Sequence, residues 1–244
     1  MENNYAALES QLGNDLCNIE DTEEIFWLKM SDDYQSKVKA GDLLVRQYRF
    51  KDAIIEYKNA CKIKRDDYML YIKLGGAYLT LFDFEQAKNC YDNALKYGAK
   101  EKSVAFYLGV MDFFKRDYLN ALKNFEKVGR ENKEMFISVI FWHTIASFRI
   151  DEEPTLLKLV DENMDAGHHG AYKTAALIFK QKLDYKTVVI PDSSLDAVII
   201  LLGICEYLKH FGKEKEANEY RKRLLMHKEV WPSIAYLAAY NDIK

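Results

Sequence analysis

What this chain has little of narrows it first. Its 244 residues include only 3 Pro and 11 Gly, so few positions interrupt a helix through a missing N–H or excess backbone freedom. The four cysteines, Cys17, Cys61, Cys90 and Cys205, form no CxxC pair. Cys61 and Cys90 read as small buried hydrophobes, which fits a reducing compartment. The first residues, Met-Glu-Asn-Asn-Tyr, lack the basic stretch and apolar run of a secretion signal. The longest mostly apolar stretch, Met135 to Phe148, contains His143 and falls short of the ~20 residues a membrane helix needs. Together these absences give a cytoplasmic location and no membrane partner as the expectation. Charge is balanced at 35 basic and 38 acidic residues, a net −3 spread along the chain. Without a basic stripe, nucleic acid is not an expected partner. The short basic groups at Lys213 to Lys215 and Arg221 to Arg223 read as solvated helix surface.

Chemistry-bearing motifs are missing as well. There is no Walker loop, dinucleotide fingerprint, HExxH or GxSxG. The His168-His169 pair sits between Gly167 and Gly170. Neighbours on a helix point about 100° apart and cannot chelate one ion, so this pair reads as a turn with solvated imidazoles. Asp66-Asp67 and Asp151-Glu152-Glu153 fall at expected helix starts, where carboxylates favour the positive end of the helix dipole. His143 lies on an apolar helix and reads as a satisfied core histidine. No nucleophile–base pair can be defended, so no enzyme activity, cofactor or metal is expected.

What is present is a repeat. Gly41, Gly75 and Gly109 recur every 34 positions, as do Ala53, Ala87 and Ala121. Phe50, Phe84 and Tyr118 keep the same step, and so do Tyr57, Tyr91 and Phe125. Ala60 and Ala94 share it too, with Val128 in the third copy. A period of this length in helix-forming residues means stacked helical hairpins. In the second copy Leu70, Leu74, Ala77, Tyr78 and Leu81 share one helical face. Asp83-Phe84 then breaks the pattern, and Phe84, Ala87, Cys90, Tyr91, Ala94 and Leu95 begin another. A mid-helix glycine costs about 1 kcal/mol against alanine. Keeping one three times over implies close approach of the two helices, with the aromatic at Tyr91 filling the space beside that contact.

The pattern Leu74-Gly75, Tyr78, Phe84, Ala87, Tyr91, Ala94 resembles the tetratricopeptide repeat, a 34-residue helix-turn-helix. The fold this implies is all-α, a right-handed superhelical solenoid of tandem hairpins that becomes irregular toward the C-terminus. Three copies match, at 34–67, 68–101 and 102–135. They depart from the family in lacking the proline common near the end of the repeat, and Asp112 replaces the aromatic seen at Tyr78.

Beyond 135 the register fades. Residues 136–170 are expected to form a degenerate fourth repeat, with helices from Ile137 to Phe148 and Pro154 to Met164. There Trp142-His143 replaces the Leu-Gly pair and Thr155 the alanine. An extra helix from Ala171 to Leu183 and an extended linker complete 171–194. Residues 195–244 make a last hairpin and closing helix. In that stretch Ser193 and Asp196 resemble a capping pair, Gly212, Ala217 and Leu224 recover the spacing, and Pro232 suits the first turn of a helix to Tyr240. At the other end, residues 1–33 carry a helical face of Tyr5, Leu8, Leu12 and Leu16 and the apolar Ile25-Phe26-Trp27-Leu28. They read as a helical cap or a groove-filling segment, with Asp21 and Glu24 as possible caps.

The resemblance implies a concave face lined by the first helix of each hairpin and a function in protein–protein interaction. That face places Lys39, Asp42 and Arg46 in copy one, and Ile72, Lys73, Gly76 and Leu79 in copy two. Copy three contributes Phe106, Tyr107, Val110, Phe113 and Phe114, and copy four Ile140, Phe141 and Thr144. Members that clamp a carboxylate tail carry Lys and Asn where this chain has Val38, Asp42, Ile72 and Gly76, so that activity is not implied. The expected partner is a protein or peptide docked in this groove as on a scaffold. The alternative is a regulatory receptor whose curvature responds to a peptide or small ligand. An apolar groove of this size calls for a cover, either Phe26, Trp27 and Leu28 of the same chain or a homodimer partner.

Overall fold

The computed structural model describes residues 20–128, 133–192 and 194–243. Among them there are twelve α-helices, three short 3₁₀ turns and no strand. Tyr5, Leu8, Leu12, Leu16, Cys17 and Ser193 lie outside the described residues. The chain divides into two compact units, one up to Val104 and one from Ala105.

In the first unit α1 (Glu23–Met30) precedes two hairpins, α2 (Tyr34–Arg46) with α3 (Phe50–Ile63), and α4 (Tyr68–Thr80) with α5 (Phe84–Lys96). Each helix packs on the next in sequence. The division falls inside α6 (Glu101–Phe114), which pairs with α7 (Tyr118–Lys127). The second unit continues with α8 (Lys133–Phe148), α9 (Gly170–Phe179), α10 (Leu195–His210), α11 (Glu214–Leu225) and α12 (Ile234–Asn241).

The repeated glycines have the packing role their spacing implies. A Cβ added at Gly75 or Gly109 would sit 2.6 Å from the ring of Tyr91 or Phe125, and one at Gly41 would be closer still to Tyr57. Each aromatic is 2% exposed or less, so its ring occupies the space beside bare backbone that any added side chain would need.

One backbone device outlasts the sequence register. Tyr48, Phe82, Arg116, Asp151, Gln181 and Gly212 all adopt positive φ, between 54° and 70°. In every case the next residue's N–H reaches back to the carbonyl five positions earlier: Arg49 to Leu44, Asp83 to Tyr78, Asp117 to Asp112, Glu152 to Ser147, Lys182 to Leu177 and Lys213 to Leu208, at 2.8–3.0 Å. This is the Schellman closure of a helix C-terminus, which satisfies carbonyls the helix leaves orphaned. At the ends of α2, α4, α6, α8, α9 and α10 this makes six such turns among the described residues, and after the third copy the step between them changes to 35, 30 and 31 residues. The fourth copy is therefore offset by one residue, and Thr144 rather than His143 stands where Gly109 stood.

The segments entered from these turns differ. The fourth and fifth turns lead only into 3₁₀ segments, Leu157–Leu159 and Tyr185–Thr187. The helix expected from Pro154 to Met164 does not form: after Val160 the sequence Asp-Glu-Asn-Met-Asp offers no apolar stripe to bury. Asp151-Glu152-Glu153 accordingly belong to a turn rather than a helix start. Asp67 does cap α4, accepting from the N–H groups of Met69 and Leu70. Ser194 caps α10 through the Ala197 N–H at 3.2 Å. Ser233 caps α12, so Pro232 precedes that helix instead of opening it.

Candidate functional site

The thirteen residues expected to bind a partner, with Gly76 and Thr144 beside them, divide by unit into two unlike sets. In the first unit the inner face of α2 and α4 is polar. Asp42 accepts hydrogen bonds from the Tyr57 hydroxyl at 2.7 Å and from Lys73 Nζ at 2.7 and 2.6 Å, joining the two hairpins. Burial, and then the Asp42 carboxylate, push the Tyr57 phenol up and keep it a donor. Asp42 and Lys73 nevertheless remain about a third exposed, at 35% and 36%. Lys39 reaches Glu24 of α1 at 2.6 Å in an exposed position, and Arg46 is exposed. Between Lys73 and Thr80, Gly76 faces open space: apart from its chain neighbours and its own helix backbone, no atom lies within 4 Å of where its Cβ would be. Ile72 and Leu79 are buried and belong to the core.

In the second unit the expected groove is closed. Phe106 and Tyr107 are half-buried, whereas Val110, Phe113, Phe114, Ile140, Phe141 and Thr144 are buried. The exposure expected of these six, and of Ile72 and Leu79, does not hold. For Phe113, Phe114 and Phe141 the neighbours come from elements later in the chain. Phe141 packs on Tyr172 and Phe179 of α9, with ring centroids at 5.1 and 5.8 Å. Phe113 meets Trp142 at 5.3 Å. At the end of α6, Asn241 of α12 donates to the Phe114 carbonyl at 2.9 Å. A four-charge clasp holds that corner. Arg149 engages Glu206 at 2.7 and 2.8 Å and Asp242 at 3.1 and 2.6 Å. Lys209 bonds both carboxylates at 3.0 and 2.7 Å. Burial alone would raise Asp242, but the hydrogen bond and charge of Arg149, aided by Lys209, outweigh it and hold the carboxyl below its ordinary range. The sequence shows these four charges without their pairing, because Arg149 and Asp242 are 93 residues apart along the chain. With these rings buried in their own protomer, the apolar surface a homodimer was expected to use is absent among the described residues.

Two further expectations change. Phe26 and Trp27 fill no groove; they are 49% and 63% exposed, and Ile25 is the buried residue of α1. His143 is buried, but Nδ1 has no hydrogen-bond partner and Nε2 lies 3.6 Å from Glu126. It is thus a core histidine satisfied on one side at most. His168 is exposed in the turn before α9, and His169 is half-buried with its ring 5.8 Å from Tyr172. Cys90 and Cys205 are buried and Cys61 half-buried.

Recurring Schellman turns at a 34-residue step and glycine–aromatic contacts inside each regular hairpin decide the architecture. The regular hairpins of this all-α chain are tetratricopeptide-like. Among solved structures it is similar to the crystal structure of YrrB, a TPR protein with an unusual peptide-binding site, with 12% identity and a TM-score of 0.47 over 91% of this chain and 98% of that one. No protein-family model and no curated protein matches the chain. Among the described residues no helix is long and apolar enough to cross a membrane.

Proposed function

We propose that the chain is a non-catalytic interaction module and that the inner face of its first unit takes a segment of a partner protein. The observation that carries this reading is the open floor at Gly76. It lies beside Lys73 on a face where Lys39, Asp42 and Arg46 keep solvent access. A helix surface with no Cβ lets another backbone approach closely, and the flanking charges give hydrogen-bonding groups for register. In the second unit Val110, one repeat step after Gly76, is buried instead. Recognition here is polar at the rim, where specificity and association rate are set.

A photo-crosslinking side chain at position 46, compared with one at Lys88 on α5, tests the reading. Adducts with a partner segment are expected at 46 and not at 88, and Gly76→Trp should suppress them by filling the open space. Equal labelling at both positions, or labelling that survives Gly76→Trp, would sink it.

A further inference from the structure

We propose that α1 carries a second docking surface, one that fits a basic amphipathic helix of a partner protein. The helix is anchored by Ile25, which is 1% exposed. At 100° per residue, Phe26, Trp27 and Met30 fall within one arc of about 100°, turned away from Ile25. Their exposures are 49%, 63% and 66%, and the Phe26 and Trp27 rings meet edge to face at 5.4 Å. Single exposed hydrophobes are ordinary, but three large ones on one face of an eight-residue helix form a patch. Exposed tryptophan is the side chain most enriched among interface anchors.

Charge names the occupant. Residues 20–33 contain Glu20, Asp21, Glu23, Glu24, Asp32 and Asp33 against Lys29 alone. Asp21 is engaged by Lys29 at 2.8 Å and Arg49 at 2.6 Å, Glu24 by Lys39, and Asp33 caps α2. Glu20, Glu23 and Asp32 are exposed. Glu23 lies one turn before Phe26 on the same arc, and the exposed Asp32 follows Met30 by two residues, so acidic residues flank the apolar strip along the chain. The complement is an apolar helical stripe flanked by Lys or Arg. A second copy would bring the same carboxylates and be repelled, as would an anionic lipid surface.

The tryptophans supply the readout. Trp142 and Trp231 are 0% and 1% exposed, so acrylamide reaches Trp27. With the full chain at low salt, a 14-residue Lys/Leu amphipathic peptide is expected to cut acrylamide quenching at least threefold. A Glu/Leu twin and a scrambled Lys/Leu peptide should not. The double variant Glu23→Lys with Asp32→Lys should weaken Lys/Leu binding at least tenfold with an unchanged circular dichroism spectrum, and Met30→Ser should weaken it too. No protection, protection by either control peptide, or protection that survives these variants would overturn the proposal. None of these results bears on the inner face, whose crosslinking position lies on α2.

Discussion

The first and second units make the same turn and put it to different ends. In the first, the turns at Tyr48 and Phe82 lead into full second helices, α3 and α5, and the inner face stays polar and open around Gly76. In the second, two of the turns lead into 3₁₀ segments, and α8, α9 and α10 pack directly on one another. Gly203 allows this closeness, since a Cβ there would sit 2.6 Å from that of Ala175. The lesson is that a repeat can keep its hinge while losing its outer layer. The inner face then becomes core, stabilised by burial, and is no longer a surface.

The largest expected effect tests whether the second unit's inner face is core. Arg149→Met leaves Glu206 and Asp242 short of their main cation in a buried site, and should cost about 3–5 kcal/mol in chemical denaturation. Lys73→Met, the matching cut to the more exposed pair of the first unit, should cost less than about 1 kcal/mol. Equal losses would erase the contrast between the units.

Adjacent glycines sharpen it further. Gly75→Ala drives a Cβ into the Tyr91 ring and should destabilise by about 1–3 kcal/mol. Gly76→Ala, one residue on, meets open space and should stabilise by up to about 1 kcal/mol through helix propensity. Thermal melts of the two variants moving in the same direction would refute the assignment of faces.

Acid separates the units as well. Burial lowers the His143 pKa below its ordinary 6.5, with the Glu126 charge acting against that shift. The unfolded chain therefore binds the proton more readily than the folded one. The stability this contributes is complete above pH 6.5 and is lost as pH falls through the lower folded value. Asp242, also depressed, adds stability that is lost at still lower pH. His143→Leu should flatten the loss that begins below pH 6.5; an unchanged profile would show that another group drives it.

The smallest effect concerns the turns. Gln181 is exposed and holds φ at 56°, so Gln181→Gly relieves a left-handed backbone and should gain roughly 0.5 kcal/mol, after glycine's greater unfolded-state freedom is offset. A lower melting temperature would mean the side chain holds the turn.

The regular hairpins were legible because glycine, alanine and aromatic positions report local packing at a fixed step. The turns were not, since Tyr48, Phe82, Arg116, Asp151 and Gln181 share no chemistry; the hydrogen bonds of the preceding helix end impose their conformation. Nor was the closure of the second inner face, where Phe114 meets Asn241 and Arg149 meets Asp242 across more than ninety residues of chain. The sequence marked Phe113, Phe114 and Phe141 as a groove because a helix face shows its own apolar stripe and is silent about what will lie on it.

The constancy of the turn has an engineering consequence. The segment after it ranges from 14 residues in α3 to 3 in the fourth copy, while the hinge hydrogen bond stays between 2.8 and 3.0 Å. Length change is absorbed downstream of the hinge, so the exposed stretch from Asp161 to Asn163 is a natural splice point. A reporter peptide or a whole guest domain inserted there would leave the helices on either side free to pair as before.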